Sequence, residues 1–451
     1  MPYVVTQSCC SDASCVVACP VNCIHPAPGE PGFAEAEMVF IDADTCVGCG
    51  ACVTACPVGA IVPDHVLTEA QRPFVALAAE YYDAFPHADR TPVALVPRQR
   101  RLRRPGPFRV AVVGAGPAGL YAADELLRHP EISVDVLDRL DVPHGLVRYG
   151  VAPDHVETRE IARLFEAIER QPGFRYRLGV DVGSADELAA PALRSEPASF
   201  AGYDAVVWAT GACADRPLDV PGGERALGAT TLARWSNGDP SLRELKVAAT
   251  RAVVVGAGNV ALDTARLLTG PAVGAEEVVV LGRREVGAAA FTTPELVGLA
   301  GLSDVDVLLD GDPPSGTGVR ERLLAGLARR TPRGSHARTS GQAPRSGRPR
   351  ITLRFGAPVA EVLVDGVRLV SGETLDADLV VAAIGHEWSP VDHDRGRVRP
   401  GEYVVGWAKR GPTGFIGTNK SDAEETVAML LDDLDAGTVG ERGARRALSG
   451  V

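Results

Sequence analysis

At 451 residues the chain is too long for one ordinary domain, and a rule of about 150 residues per domain suggests about three. Its apolar content of 45% is that of a globular protein, and no run of about 18 apolar residues marks a transmembrane helix. A net charge of -12 argues against nucleic-acid binding, and an N-terminus without a basic n-region or long apolar stretch predicts no signal peptide and a cytoplasmic location.

Nine of the ten cysteines lie before residue 57, and Cys213 stands alone beyond them. Such clustering suits metal binding better than a disulfide framework. Residues 1–71 contain no Lys or Arg, yet hold Asp12, Glu30, Glu35, Glu37, Asp42, Asp44, Asp64 and Glu69. The run PRQRRLRRPGPFR follows at residues 97–109. Two readings fit it: a solvated linker, or arginines that dock the acidic head or an acidic partner.

The first cysteine stretch, CCSDASCVVACP at residues 9–20, repeats 37 positions later as CVGCGACVTACP. Cys9, Cys15, Cys19 and Pro20 match Cys46, Cys52, Cys56 and Pro57, while Asp12 stands where the second copy has Cys49. Cys-x2-Cys-x2-Cys-x3-Cys-Pro is the spacing of two-cluster iron–sulfur proteins, in which the fourth cysteine serves the other cluster. Zinc also suits paired Cys-x2-Cys, but the doubling with Cys-Pro at both ends favours iron and sulfide. The head therefore resembles bacterial two-cluster ferredoxins. Cys19, Cys46, Cys49 and Cys52 are expected to hold a [4Fe-4S] cluster, and Cys9, Cys15 and Cys56 the other group. Asp12 is a hard oxygen donor, poorly matched to a thiolate-type iron site, so [3Fe-4S] is expected there, or a labile [4Fe-4S] using Asp12. Cys10 is an alternative to Cys9, and Cys10 and Cys23 otherwise read as buried small apolar residues.

Next comes FRVAVVGAGPAGLYAADELLR, residues 108–128. An apolar strand leads into Gly114-x-Gly116-x-x-Gly119 and a helix, and the next strand ends in Asp138, 24 residues after Gly114. This is a dinucleotide fingerprint: glycines admit a pyrophosphate to a helix N-terminus, and the acid takes ribose hydroxyls. The second unit, RAVVVGAGNVALDTARLL at residues 251–268, carries Gly256 and Gly258, with Ala261 in the third glycine's place. Its following strand ends in Arg283 and Arg284. A carboxylate suits free ribose hydroxyls, whereas paired guanidiniums suit a 2′-phosphate. The first unit is thus expected to take FAD, with NAD as the other reading, and the second NADPH. YDAVVWATGA and ADLVVAAIGHE look like crossovers between the two nucleotide units. Residues 310–350 read as an insertion with one short amphipathic helix and a flexible Ser/Gly/Arg-rich second half, with docking arginines as an alternative.

The motifs PHGLVRYGVAPDH, GNVALD, GRR, AFTTPEL and GWAKRGPTGFIGTN occur in order between about residues 108 and 435. Together they resemble the adrenodoxin reductase family of NADPH–ferredoxin reductases, and the whole chain resembles the actinobacterial type with a ferredoxin fused ahead of the reductase. The resemblance implies an α+β ferredoxin-like iron–sulfur head (1–66), an Arg/Pro-rich linker (67–107) and an α/β flavoprotein of two Rossmann-like units. Its FAD-binding domain would span 108–213 and 381–451, and its NADPH-binding domain 214–380. It further implies that Gly114, Ala115, Gly116, Ala118, Gly119, Asp138 and Leu146 hold FAD, with Trp407, Gly414 and Ile416 at the isoalloxazine. Gly256, Gly258, Asn259 and Val260 would meet the NADPH pyrophosphate, and Arg283 and Arg284 the 2′-phosphate. His155 and Glu295 are implied as the catalytic residues beside flavin and nicotinamide; a structural cap is the plain alternative for each. Some relatives carry a second acid one helical turn after Glu295, where this chain has Gly298.

The expected activity is that of a ferredoxin–NADP(+) reductase. NADPH gives a hydride to FAD, and single electrons pass, reversibly, to the head's clusters or to a separate ferredoxin or other one-electron acceptor. The alternative is the NADPH-oxidising small subunit of a glutamate-synthase-like complex.

Overall fold

The computed structural model describes residues 1–93, 100–182, 202–212, 214–330 and 347–439. In the head, the sequence repeat is a repeat of backbone. Helices Ser14–Ala18 and Ala51–Ala55 are entered through left-handed residues, Ala13 at φ 58° and Gly50 at φ 75°. Two residues earlier, Ser11 (φ 56°) matches Gly48 (φ 69°). Left-handed backbone costs a non-glycine residue roughly 1–2 kcal/mol, so the first copy keeps the loop's shape against local preference. Antiparallel pairs, Tyr3–Val5 with Ile61–Pro63 and Ile24–His25 with Phe40–Ile41, tie the copies together.

The expected linker is not all linker. Pro73–Ala84 is a helix, because Phe74, Leu77 and Tyr81 fall at helical spacing and have an apolar surface to cover. Tyr81 stacks on Phe40 with ring centroids 4.6 Å apart. The Tyr82 hydroxyl lies 2.9 Å from the carbonyls of both Cys23 and Phe40.

The arginine run also departs from both readings. Arg100 pairs with Asp432 at 2.7 Å and Asp435 at 2.8 Å, and Arg104 donates to the Leu434 and Val439 carbonyls at 3.0 and 2.8 Å. Its target is the end of helix Thr418–Ala436, where free carbonyls and the helix dipole attract cations. Pro97 to Gln99 lie outside the described residues.

Two six-stranded sheets follow. The first has the order Arg397–Arg399, Glu402–Val404, Ala205–Trp208, Phe108–Val113, Ile132–Asp138, Phe174–Leu178, parallel except for the outermost pair. The second is parallel throughout: Leu227–Gly228, Leu379–Ala382, Arg251–Val255, Glu277–Leu281, Arg350–Arg354, Asp306–Asp310. Their continuous Val/Leu runs are what a sheet covered on both faces requires. The glycine-motif strands Phe108–Val113 and Arg251–Val255 are central and feed helices Pro117–Leu127 and Asn259–Thr269. The expected crossovers supply Ala205–Trp208 and Leu379–Ala382, the strands lying directly beside them. Beyond those strands, Ala214–Asp215 pairs with His386–Glu387 and bridges the two units. The chain then returns to the first unit, where Thr418–Ala436 packs on Pro117–Leu127. One apolar core runs from the head (Val16, Ile24) into this unit (Leu120, Leu126).

The insertion carries helix Val319–Arg330; its second half, residues 331–346, lies outside the described residues. The helix's first turn does dock: the Val319 amide donates to Glu80 at 2.8 Å, and Arg320 lies 4.4 Å from the Phe291 ring centroid. Among the described residues, no helix is long and apolar enough to cross a membrane.

Candidate functional site

The loops of the head enclose two cavities, and each draws its last cysteine from the other copy. The first, about 280 Å³, is lined by Cys19, Cys46, Cys49 and Cys52, with Cys23 beside them. The second, about 270 Å³, is lined by Cys9, Cys15 and Cys56, with Cys10 and Asp12. All nine cysteines of the head are free. Burial pushes the Cys9 thiol up to about 12 and the Cys52 thiol up to about 11. Such sulfurs stay protonated unless a metal replaces the proton, which is the behaviour of a metal site rather than of reactive thiols. Cys19 departs from this: the hydrogen bond from Cys23, 3.4 Å away, brings it down to about 5. Soft sulfur donors converging on each cavity fit iron–sulfur groups.

Asp12 is buried, and both of its oxygens are engaged. Oδ1 accepts from the Ser14 amide at 3.2 Å and Oδ2 from the Ser14 hydroxyl at 2.5 Å. The carboxylate therefore also holds the first turn of helix Ser14–Ala18. Cys10 and Cys23 are buried, as expected of spare residues, yet both line the cavities.

In the first dinucleotide unit, Gly114 turns at φ 115°, and a Cβ there would collide with the Ala209 carbonyl. Nothing lies within 4 Å of a Cβ built on Gly116, so the space above the helix N-terminus is open, as a pyrophosphate requires. Asp138 accepts from the Ala115 amide at 2.7 Å and so holds the glycine turn itself. Leu146 lies in helix Gly145–Tyr149, whose first residue, Gly145, abuts Gly116. Trp407 opens helix Trp407–Arg410 after Gly406, whose close packing on Ala118 brings the closing loop to the glycine turn. Buried Lys409, 2.9 Å from Asp422 and 2.6 Å from Glu425, fastens that loop to helix Thr418–Ala436. Gly414 and Ile416 lie between the two helices.

The second unit repeats the design. Gly258 also has open space above it, Val260 is exposed at the helix start, and Arg283 and Arg284 are exposed after strand Glu277–Leu281. Asn259 accepts from the Thr292 amide at 2.8 Å and donates to Glu37 of the head at 3.1 Å. Burial, with Glu295 nearby, pushes the Glu37 carboxyl up to about 7.

His155 and Glu295 lie far apart in sequence and meet at Arg266. This buried guanidinium contacts Glu295 Oε1, Asp263 Oδ1 and His155 Nε2, and stands 2.9 Å from Asp154. Ligand atoms of His155, Asp263 and Glu295 lie within 4.8 Å of one another. Burial and Arg266 lower the His155 pKa and keep the ring neutral, while burial and Glu295 raise Asp263. Glu295 does sit in the first turn of its helix, Thr293–Ala300, where its amide donates to the Thr292 hydroxyl at 3.4 Å. Its side chain, however, is 3% exposed and is held by Arg266 and Gln7. Sequence reasoning missed Arg266, Asp263, Asp154, Gln7 and Glu37. A usable signal existed for one pair: Asp263 and Arg266, three apart, are charged residues on an otherwise apolar helix face.

The head docks here through several contacts. The Gly417 amide donates to the Cys10 carbonyl at 2.8 Å, Thr158 Oγ1 to the Ser8 carbonyl at 3.4 Å, and Gln7 Nε2 to Glu295 Oε2 at 3.3 Å. The three-cysteine cavity thus adjoins the loop that closes the first unit. The four-cysteine cavity faces outward, with Cys49 and Val47 exposed.

Residues 108–294 match the pyridine nucleotide-disulphide oxidoreductase family, and residues 39–62 a 4Fe-4S binding domain. A probable ferredoxin/ferredoxin–NADP reductase of Mycobacterium leprae is 41% identical over 498 residues, covering 97% of this chain and 87% of that protein. A protein of the same description from Mycobacterium tuberculosis is 43% identical over 507 residues, with 97% and 84% covered. The solved structure of Mycobacterium tuberculosis FprA in complex with NADPH matches with a TM-score of 0.63 at 32% identity, over 76% of this chain and 89% of that one. With two glycine-motif sheets, a cysteine-lined head packed against them and similarity along nearly its whole length, the chain belongs to the family of fused ferredoxin/ferredoxin–NADP reductases.

Proposed function

We propose that the chain is an NADPH-dependent ferredoxin reductase carrying its own iron–sulfur head. The observation that carries this reading is the head's position: two cysteine-lined cavities are packed against a pair of dinucleotide-binding units, with one cavity adjoining the loop that closes the first. When bound, FAD supplies hydride acceptance and one-at-a-time electron release, and iron–sulfur groups supply one-electron storage. The protein's part is to bind, orient and exclude water.

Gly114, Ala115, Gly116, Ala118, Gly119, Asp138 and Leu146 would hold FAD, with Trp407, Gly414 and Ile416 closing over it. Asn259 and Val260 would take the NADPH pyrophosphate at the helix N-terminus. Arg283 and Arg284, free of the protein's core, would clamp the 2′-phosphate. Glu295, held by Arg266, and neutral His155 would orient the nicotinamide and manage a flavin proton.

Cys19, Cys46, Cys49 and Cys52 would ligate a [4Fe-4S] cluster, and Cys9, Cys15 and Cys56 a [3Fe-4S] cluster. Asp12, held to Ser14 through both oxygens, offers a hard oxygen where the other copy has a thiolate, and that mismatch supports the three-iron form. Nine free thiols suit a reducing cytoplasm. Relatives that match 97% of this chain are fused reductases, which speaks against the glutamate-synthase-like alternative.

Iron, sulfide and flavin analysis after anoxic purification tests the cofactor content. One FAD and seven irons per chain are expected; protein without flavin or sulfide contradicts the reading. Asp12→Cys is expected to raise the count to eight, and a persisting three-iron resonance signal in that variant contradicts the ligand assignment.

A further inference from the structure

Helix Thr293–Ala300 presents Glu295 and, one turn on, Gly298. A Cβ built at Gly298 would lie closer than 3.0 Å to the side-chain amide carbon, oxygen and nitrogen of Gln7. The head therefore fills the place that a side chain would take on this helix. The Gln7 amide does more than fill it, because Nε2 reaches Glu295 Oε2 at 3.3 Å. The opposite oxygen, Oε1, is held by Arg266. Two clamps thus fix one buried carboxylate. Arg266 comes from the nucleotide unit itself, and Gln7 comes from a domain 288 residues away in sequence. The flanking contacts place Gln7 firmly: Ser8 is bonded to Thr158, and Glu37 of the head to Asn259.

We propose that Gln7 is a positioning residue for Glu295, so that the head completes the reductase's nicotinamide site. A buried carboxylate oxygen needs a donor, and no water replaces one where a glutamine amide is packed. Glu295 without Gln7 keeps its charge partner but loses the bond that fixes its rotation. Gly298 is the complementary half of the device: its missing side chain admits Gln7. This inference rests on the proposed role of Glu295 beside the nicotinamide, and it adds that the head serves the hydride step as well as receiving electrons.

The test is a double-mutant cycle in the full-length holoprotein with Gln7→Ala, Gly298→Gln and the pair combined. The readouts are kcat and KM for NADPH with ferricyanide, the Kd for NADP+ by equilibrium titration, and hydrogen exchange of the peptide covering 293–300. Iron content reports that the head is folded. Gln7→Ala is expected to lower kcat about tenfold, as loss of a hydrogen bond to a charged group allows, and to leave KM within about twofold. Exchange of the 293–300 peptide speeds up. Gly298→Gln alone is expected to be as poor, because its side chain and Gln7 compete for one space. In the combined variant the amide returns from the helix itself, and kcat and exchange recover toward wild type.

Unchanged kcat and exchange in Gln7→Ala, or a combined variant showing only the product of the two single losses, overturns the proposal. A Gln7→Ala chain that loses its iron is replaced by Gln7→Met, which keeps the packing without the donor and is expected to lose kcat equally; retained kcat in Gln7→Met overturns it too. Wild-type protein that binds NADP+ but oxidises no NADPH would instead contradict the proposed function itself.

Discussion

Gly417→Ala tests whether the head works from its docked position. Gly417 has helical backbone angles, φ -67° and ψ -27°, so alanine is free of strain there and by itself would stabilise by about 0.4–1 kcal/mol. The added methyl, however, would lie closer than 3.0 Å to three backbone atoms of the head: the Ser11 carbonyl carbon and oxygen, and the Asp12 nitrogen. Backbone cannot rotate away as a side chain can. Overpacking of this kind costs about 1–3 kcal/mol, and loss of the 2.8 Å bond from the Gly417 amide to Cys10 adds about 0.5–1.5 kcal/mol. The backbone gain is common to the docked and undocked folded states, so about 1.5–4.5 kcal/mol stands against docking, or roughly a 10- to 2,000-fold shift toward the undocked head. Reduction of cytochrome c through the head is expected to fall by at least about fivefold, and reduction of ferricyanide to fall with it, by up to the roughly tenfold expected when Gln7 leaves Glu295. Hydrogen exchange across residues 7–13 should rise in step. A variant with wild-type rates for both acceptors and unchanged exchange refutes the reasoning.

The remaining expectations concern charge. Replacing Arg283 and Arg284 by neutral residues should lower the NADPH/NADH preference by about 10- to 100-fold, seen as a rise in KM for NADPH; an unchanged ratio contradicts the 2′-phosphate assignment. Arg266→Leu leaves buried Glu295 and half-buried Asp263 without their cation and should destabilise the nucleotide unit by about 3–5 kcal/mol, read from urea unfolding; a loss under about 1 kcal/mol contradicts the network. Glu37 titrates at about 7 when docked against an ordinary 4.5. Its folded value is raised, so its contribution to docking is full below pH 4.5 and fades as pH rises through 7, by about 3 kcal/mol in all. Exchange at the head interface should therefore speed up between pH 5 and 8, and Glu37→Gln should flatten that dependence; equal pH dependence in both proteins contradicts it.

What was legible in the sequence is what depends on neighbours in sequence. The cysteine spacing of Cys46, Cys49, Cys52 and Cys56 and its defective copy at Cys9 carried the two cavities, because a loop of fixed spacing can close only one way. The turns at Gly114 and Gly256 marked both nucleotide units, because strand, tight turn and helix are contiguous. Contacts across hundreds of residues were not legible. Gly298 read as a missing acid, whereas its space belongs to Gln7. The arginines after the head read as a solvated linker or as docking groups for the acidic head or an acidic partner, yet Arg100 and Arg104 found the C-terminal end of another helix. Charge composition says that a cation will find an anion or a carbonyl, and only the fold says which. Asp12 illustrates the middle case: its substitution for cysteine was visible, but its two bonds to Ser14 depend on the left-handed turn at Ser11 and Ala13, where glycine would have been the expected signal.

The central claim is that electrons from NADPH reach sulfur-bound iron within the same polypeptide. Stepwise anaerobic titration with NADPH, followed by optical absorbance and electron paramagnetic resonance on one sample, tests it most directly. Flavin bleaching is expected to be accompanied by loss of the oxidised three-iron signal without any added ferredoxin. Complete flavin reduction with that signal undiminished, in protein of full iron and sulfide content, would contradict it.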